Sequence, residues 1–199
     1  MKPLVDVPQE QQDRSSIFVR FIDILFAVVL GQSFVLLSSP NGVTSWLAAP
    51  SENIVPLANV VLAYVIVITS WVGYHDSTSK LPMKNVTRFI IDIALLFSYY
   101  LAFVNVRSLT NILVIFCVVF VLYFLWAVVR FYEYHDKVNE LGLAKRSIQA
   151  GMFAFAFFLI AIARGAYPNP TVDGIFLTVS FGLLVLYRGL YWGGPKKKA

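Results

Sequence analysis

The stretch LTNILVIFCVVFVLYFLWAVVR, Leu109 to Arg130, decides the fold class. It carries no charge before Arg130, and at about 1.5 Å per helical residue it is long enough to cross a hydrocarbon core about 30 Å thick. In lipid the backbone must satisfy its own N–H and C=O groups, so a run of this length reads as a helix. Working outward, further apolar runs bounded by turn residues fall at 17–38, 55–74, 88–106, 148–165 and 172–190. Together they predict an all-α, polytopic membrane protein with six transmembrane helices. Of the 199 residues, 58% are hydrophobic and 14% charged, with a mean hydropathy of +0.72, which excludes a water-soluble domain. The expected organisation is a polar cytoplasmic tail over 1–16, a six-helix transmembrane domain over 17–192 and a basic C-terminal tail over 193–199. The first run exceeds a signal-peptide core and no small-residue cleavage site follows it, so it reads as a retained helix.

Charge placement predicts the topology. When the runs alternate across the bilayer, only Arg107 and Arg164 fall on one side, and every other Lys and Arg falls on the other. By the positive-inside rule both termini are cytoplasmic, and the helices form three hairpins in what is expected to be the plasma (inner) membrane. The excess of 16 Lys and Arg over 11 Asp and Glu therefore reports orientation, and nucleic acid is not an expected partner. Cys117, the single cysteine, offers neither a disulfide nor a cysteine metal cluster.

The hairpins echo one another. Arg20-Phe21-Ile22-Asp23 opens the first span and Arg88-Phe89-Ile90-Ile91-Asp92 the third. The second span leaves through Trp71 and Tyr74-His75-Asp76, the fourth through Trp126 and Tyr134-His135-Asp136. The spacing of three and four residues predicts local ion pairs between Arg20 and Asp23 and between Arg88 and Asp92. A carboxylate within the first turns of an apolar helix is expensive unless it faces protein or water, and anchoring at the interface is the simplest role for both pairs. The two His-Asp exits offer imidazole and carboxylate, but no ligand spacing links them, so no metal or other cofactor is expected. No nucleophile has a base beside it and no phosphate loop is present, so an enzyme is not expected either. Val28, Gln32 and Val35, spaced by four and three, form one stripe on the first helix, where the Gln32 amide needs water or a hydrogen-bonding partner.

At these residues the sequence resembles the six-span potassium channel family of transmembrane protein 175, in its prokaryotic form. That family opens its first helix with Phe-Ser-Asp followed by Phe-Ala; here Phe21, Asp23, Phe26 and Ala27 keep the spacing and Ile22 takes the serine position. The family's second helix ends in Trp followed by paired His, matched here by Trp71 and His75. The resemblance implies a homo-oligomer, a tetramer in prokaryotic members, whose first helices line a pore for monovalent cations. It further implies a polar network of Asp23, Trp71 and His75 at the cytoplasmic mouth, with Val28, Gln32 and Val35 facing the pore. Ile17 stands where the family carries Arg, and Gln32 where it carries an apolar constriction residue. The alternative from a different class is a non-conducting membrane assembly or a bilayer-disturbing effector.

Overall fold

The computed structural model describes residues 8–39, 42–135 and 143–192, and among them every regular element is helical. Six helices are long and apolar enough to cross a membrane: α1 (Gln9–Leu37), α3 (Ile54–Lys80), α4 (Val86–Val104), α5 (Leu109–Glu133), α6 (Leu143–Ala166) and α7 (Asp173–Trp192). They fit an integral membrane protein. A short helix, α2 (Val43–Ala48), occupies the first connection, which has no sequence period of its own.

The helices outrun the apolar stretches at two ends. α1 starts at Gln9 rather than at Ile17, with Gln9 donating to Asp13 at 3.1 Å and Arg14 reaching Glu10 at 3.5 Å. α3 continues past Tyr74 to Lys80, whose Nζ donates to Asp76 Oδ1 at 2.5 Å. Hydropathy marks the part of a helix suited to lipid, whereas pairs four residues apart carry it on into water. Other boundaries are set by caps: the Asn85 side chain accepts from the Thr87 N–H to start α4, and Ser108 accepts from the Asn111 N–H to start α5. A Cβ at Gly42 would lie 2.1 Å from the Leu37 carbonyl oxygen, so the turn leaving α1 admits only glycine.

The most extensive helix contact joins α5 to α6. Ala150, Ala154 and Ala161 are buried on α6, and small residues let helix backbones approach closely where lipid supplies no hydrophobic drive. Around this seam the rings interlock. Phe120 stacks on Phe157 at 5.1 Å and meets Tyr187 of α7 edge-on at 4.9 Å, while Tyr123 stacks on Tyr187 at 6.0 Å. α1 packs mainly on α4, through Phe18 against Phe89 and Phe26 against Tyr99. The two arginines assigned to the less basic side both have partners: Arg164 pairs with Asp173 at 2.6 Å, and Arg107 lies over the Trp46 ring.

Arg88 is wholly buried, and its Nη1 meets Glu133 Oε2 at 2.8 Å. Glu133 also accepts from the Asn85 N–H at 2.8 Å, and Lys84 donates to the Glu133 carbonyl. Next to this pair the Tyr134 hydroxyl donates to the Pro82 carbonyl. The turn between α3 and α4 is thereby clamped to the end of α5. Removing one partner of a buried ion pair strands the other charge, so Arg88→Ala should lower stability by about 3–5 kcal/mol, read from unfolding in detergent. The double replacement Arg88→Met, Glu133→Leu should recover most of that loss. Burial pushes the Tyr134 phenol up to about 12, with the Arg88 charge opposing. An unfolded tyrosine titrates near about pH 10, so the contribution of Tyr134 is complete below that pH and is lost as pH rises toward 12. Tyr134→Phe should therefore show a shallower fall in stability than the parent over that interval.

Candidate functional site

Asp23, Trp71 and His75 come together. Asp23 lies two turns into the apolar part of α1, and Trp71 and His75, four residues apart, share one face of α3. Trp71 Nε1 donates to Asp23 Oδ1 at 3.1 Å, and His75 Nε2 lies 2.7 Å from the same oxygen. A carboxylate only accepts, so Nε2 is the protonated nitrogen. The two rings meet edge-on at 5.1 Å. The side chains of His75 and Asp23 are 41% and 36% exposed, which places the cluster at a partly open seam between α1 and α3. A second tie joins the same helices further along, where the Ser33 hydroxyl and the Tyr64 phenol share a hydrogen bond of 2.9 Å.

The stripe above Asp23 faces away from the bundle. Ile22, Phe26, Val29, Ser33 and Leu37 form the buried edge of α1, whereas Val28 is 51% exposed, Val35 is 66% exposed and Gln32 is exposed between them. The Gln32 side chain makes no hydrogen bond among the described residues. Gly31 beside it has nothing near the place a Cβ would take, so it serves no close helix approach among the described residues.

Neither local arginine pair forms. Arg20 is exposed at the edge of a groove that also contains His75, and Asp23 takes its donors from α3 instead. Arg88 bonds instead to Glu133 on a neighbouring helix and to the Leu81 carbonyl, while its charge still acts on Asp92 one turn along its own helix. Asp92 is only 4% exposed, and its Oδ2 has no hydrogen-bond partner among the described residues. Near it the Trp126 ring is approached by two guanidinium groups, Arg88 at 4.8 Å and Arg130 at 4.6 Å from its centroid. Trp126 and Arg130 stand four residues apart on α5, as Trp71 and His75 do on α3. The echo read in the sequence thus has two settings here, a half-exposed Asp23 with Trp71 and His75, and a buried Asp92 near Trp126 and Arg130.

At the two His-Asp exits, Asp76 pairs with Lys80 and His135 packs edge-on against Phe131, while Asp136 lies outside the described residues. No group of three or more His, Cys, Asp or Glu among the described residues could hold a metal ion. Spacing did not point to a further polar chain inside the bundle. Arg188 of α7 donates to Ser70 of α3 at 2.9 Å and to the Tyr123 hydroxyl of α5 at 3.3 Å, and Tyr123 in turn shares a 2.9 Å bond with Tyr99 of α4. Arg188 is the sole charged residue in the last span after Asp173, and that isolation was its available signal.

No family model, curated protein or solved structure matches the chain.

Asp23→Ala would remove the one acceptor shared by Trp71 and His75. The site is partly exposed, so water can take over some of its bonds, and the loss should be about 1 kcal/mol, below the roughly 1.5–3 kcal/mol of a dry charged bond. Asp23→Asn, which keeps an acceptor, should lose less. Thermal unfolding in detergent, followed by tryptophan emission, measures both.

Proposed function

We propose that the chain forms a homo-oligomeric cation channel in which α1 of each copy lines the pore. The ion is potassium and the assembly a tetramer by the resemblance of the Phe21–Ala27 and Trp71–His75 strings. Gln32 carries this reading. Its amide stands in mid-span on the outward face of α1, without a partner among the described residues. An unpaired amide in hydrocarbon costs several kcal/mol, so in the membrane it meets water or the same residue of another copy. A pore lined by α1 supplies both. The Asp23 cluster supports the same arrangement, since it fastens α1 to α3 by its flank and leaves Val28, Gln32 and Val35 uncovered.

In this reading the six spans form three hairpins, and the end that carries Asp23, His75, Arg88, Glu133 and Arg188 faces the cytoplasm together with both termini, because nearly all Lys and Arg lie there. Apolar rings from Val28 and Val35 constrict the pore and resist wetting, and the amide ring of Gln32 between them lowers that barrier.

The test is single-channel recording from the purified chain reconstituted in potassium. Current is expected, and Gln32→Leu should reduce conductance several-fold without changing the oligomer. Cysteines placed at Val28 or Val35 in a Cys117→Ala background should cross-link neighbouring copies. An assembled oligomer that cross-links at these positions but passes no current would favour a non-conducting assembly. A chain that stays monomeric in lipid would remove the pore altogether.

A further inference from the structure

A partly open cavity of about 80 Å³ lies among the helices, bordered by residues from all six long ones. Part of its lining is polar and incompletely bonded. Asp92, Trp126 and Tyr74 all border the cavity, and Asp92 Oδ2, Trp126 Nε1 and the Tyr74 hydroxyl are buried atoms with no hydrogen-bond partner among the described residues. The Trp126 indole lies within hydrogen-bonding reach of the Asp92 carboxyl and Tyr74 feels the same charge, yet Asp92 Oδ2, Trp126 Nε1 and the Tyr74 hydroxyl each lack a partner at full hydrogen-bond geometry among the described residues. Other polar groups of the lining are bonded, through the chain Arg188, Ser70, Tyr123 and Tyr99. Arg146, half-buried near the start of α6, borders the same space.

Three orphaned groups of complementary character meet one space. A carboxylate oxygen needs a donor, an indole N–H needs an acceptor and a phenol can act as either. Each costs free energy if left dry, because its bonds to water are given up and not replaced. A water molecule typically makes about three hydrogen bonds in a buried site, and it needs only about 10–15 Å³ of such volume, so the cavity has room for several. Larger solutes fit poorly, since about 150 Å³ is the scale of a cavity that takes benzene. The charges also argue against a bare ion: Arg146 and Arg188 oppose a cation, and Asp92 opposes an anion.

We propose that this cavity is an internal water site, in which a water donates to Asp92 Oδ2 and accepts from Trp126 Nε1 and the Tyr74 hydroxyl, and further waters continue toward Arg146. The site lies inside one copy of the chain and is independent of the pore on the outer face of α1. Whether or not the assembly conducts, the water site stands or falls on its own measurement.

Radiolytic hydroxyl labelling of the full chain in lipid nanodiscs is that measurement, because radicals made from a bound water modify the side chains beside it. Rates are normalised to the same residues in the unfolded chain. Tyr74 and Tyr99, which border the cavity, should label several-fold faster than Phe116 and Phe157, which are fully buried in the apolar part of the core. Equal and low rates at all four would mean a dry cavity and would overturn the proposal. Ala127→Leu fills the space from α5, and Ala150→Val fills it from α6 should the first variant fail to fold. Filling should cut labelling at Tyr74 at least threefold, and labelling that persists would show radicals arriving by transient opening of the bundle, which also rejects a bound-water site.

Discussion

The pairing of Arg88 with Glu133 is the constraint on which the polar half of the bundle depends. A guanidinium with no exposure must find its counter-charge within the protein, and here it does so across two helices rather than along one. That choice has three structural results. The end of α5 is locked to the turn preceding α4, since Glu133 also accepts from the Asn85 N–H and the Tyr134 hydroxyl beside it donates to the Pro82 carbonyl. The Trp126 ring is brought into contact with the guanidinium groups of both Arg88 and Arg130. Asp92 is left without the partner that its spacing offered, beside an internal space that all six long helices border.

Two kinds of cohesion divide the molecule. Around α5, α6 and α7 the contacts are ring against ring and alanine against helix backbone, the apolar packing that stabilises helices in lipid. Around α1 they are fewer and partly polar, with the Asp23 cluster and the Ser33–Tyr64 bond joining it to α3. The helix with the least buried apolar window is thus held by ring packing against α4 together with directional bonds to α3, which fix its rotation more tightly than apolar contact alone.

The long helices were legible in the sequence because each needs a run of about 20 apolar residues, and Leu109–Arg130 has almost nothing else. Their aqueous extensions at Gln9 and Lys80 were not, since hydropathy is silent once a helix leaves lipid. The Asp23, Trp71 and His75 positions could be named together only through the resemblance of their strings to a family, as no local spacing links residues 48 and 52 positions apart. Local spacing misled at Arg88: Asp92 is four residues away, whereas Glu133 is 45 positions away in the chain and becomes a neighbour only once α4 and α5 pack. Arg188 and Tyr123 were invisible as a pair for the same reason.

The position of Asp23 also bears on how the chain is made. During synthesis α1 leaves the ribosome before α3 exists, and N-terminal segments fold first. Asp23 stands near the start of the apolar run, where interfacial water can solvate it while Trp71 and His75 are still untranslated. Asp92 has no such refuge in the finished fold, but its helix is followed by α5 after only a short turn, so the indole and guanidinium groups of that helix arrive almost at once. The more exposed acid is the one that must wait longest for its partners, and the deeply buried one waits least.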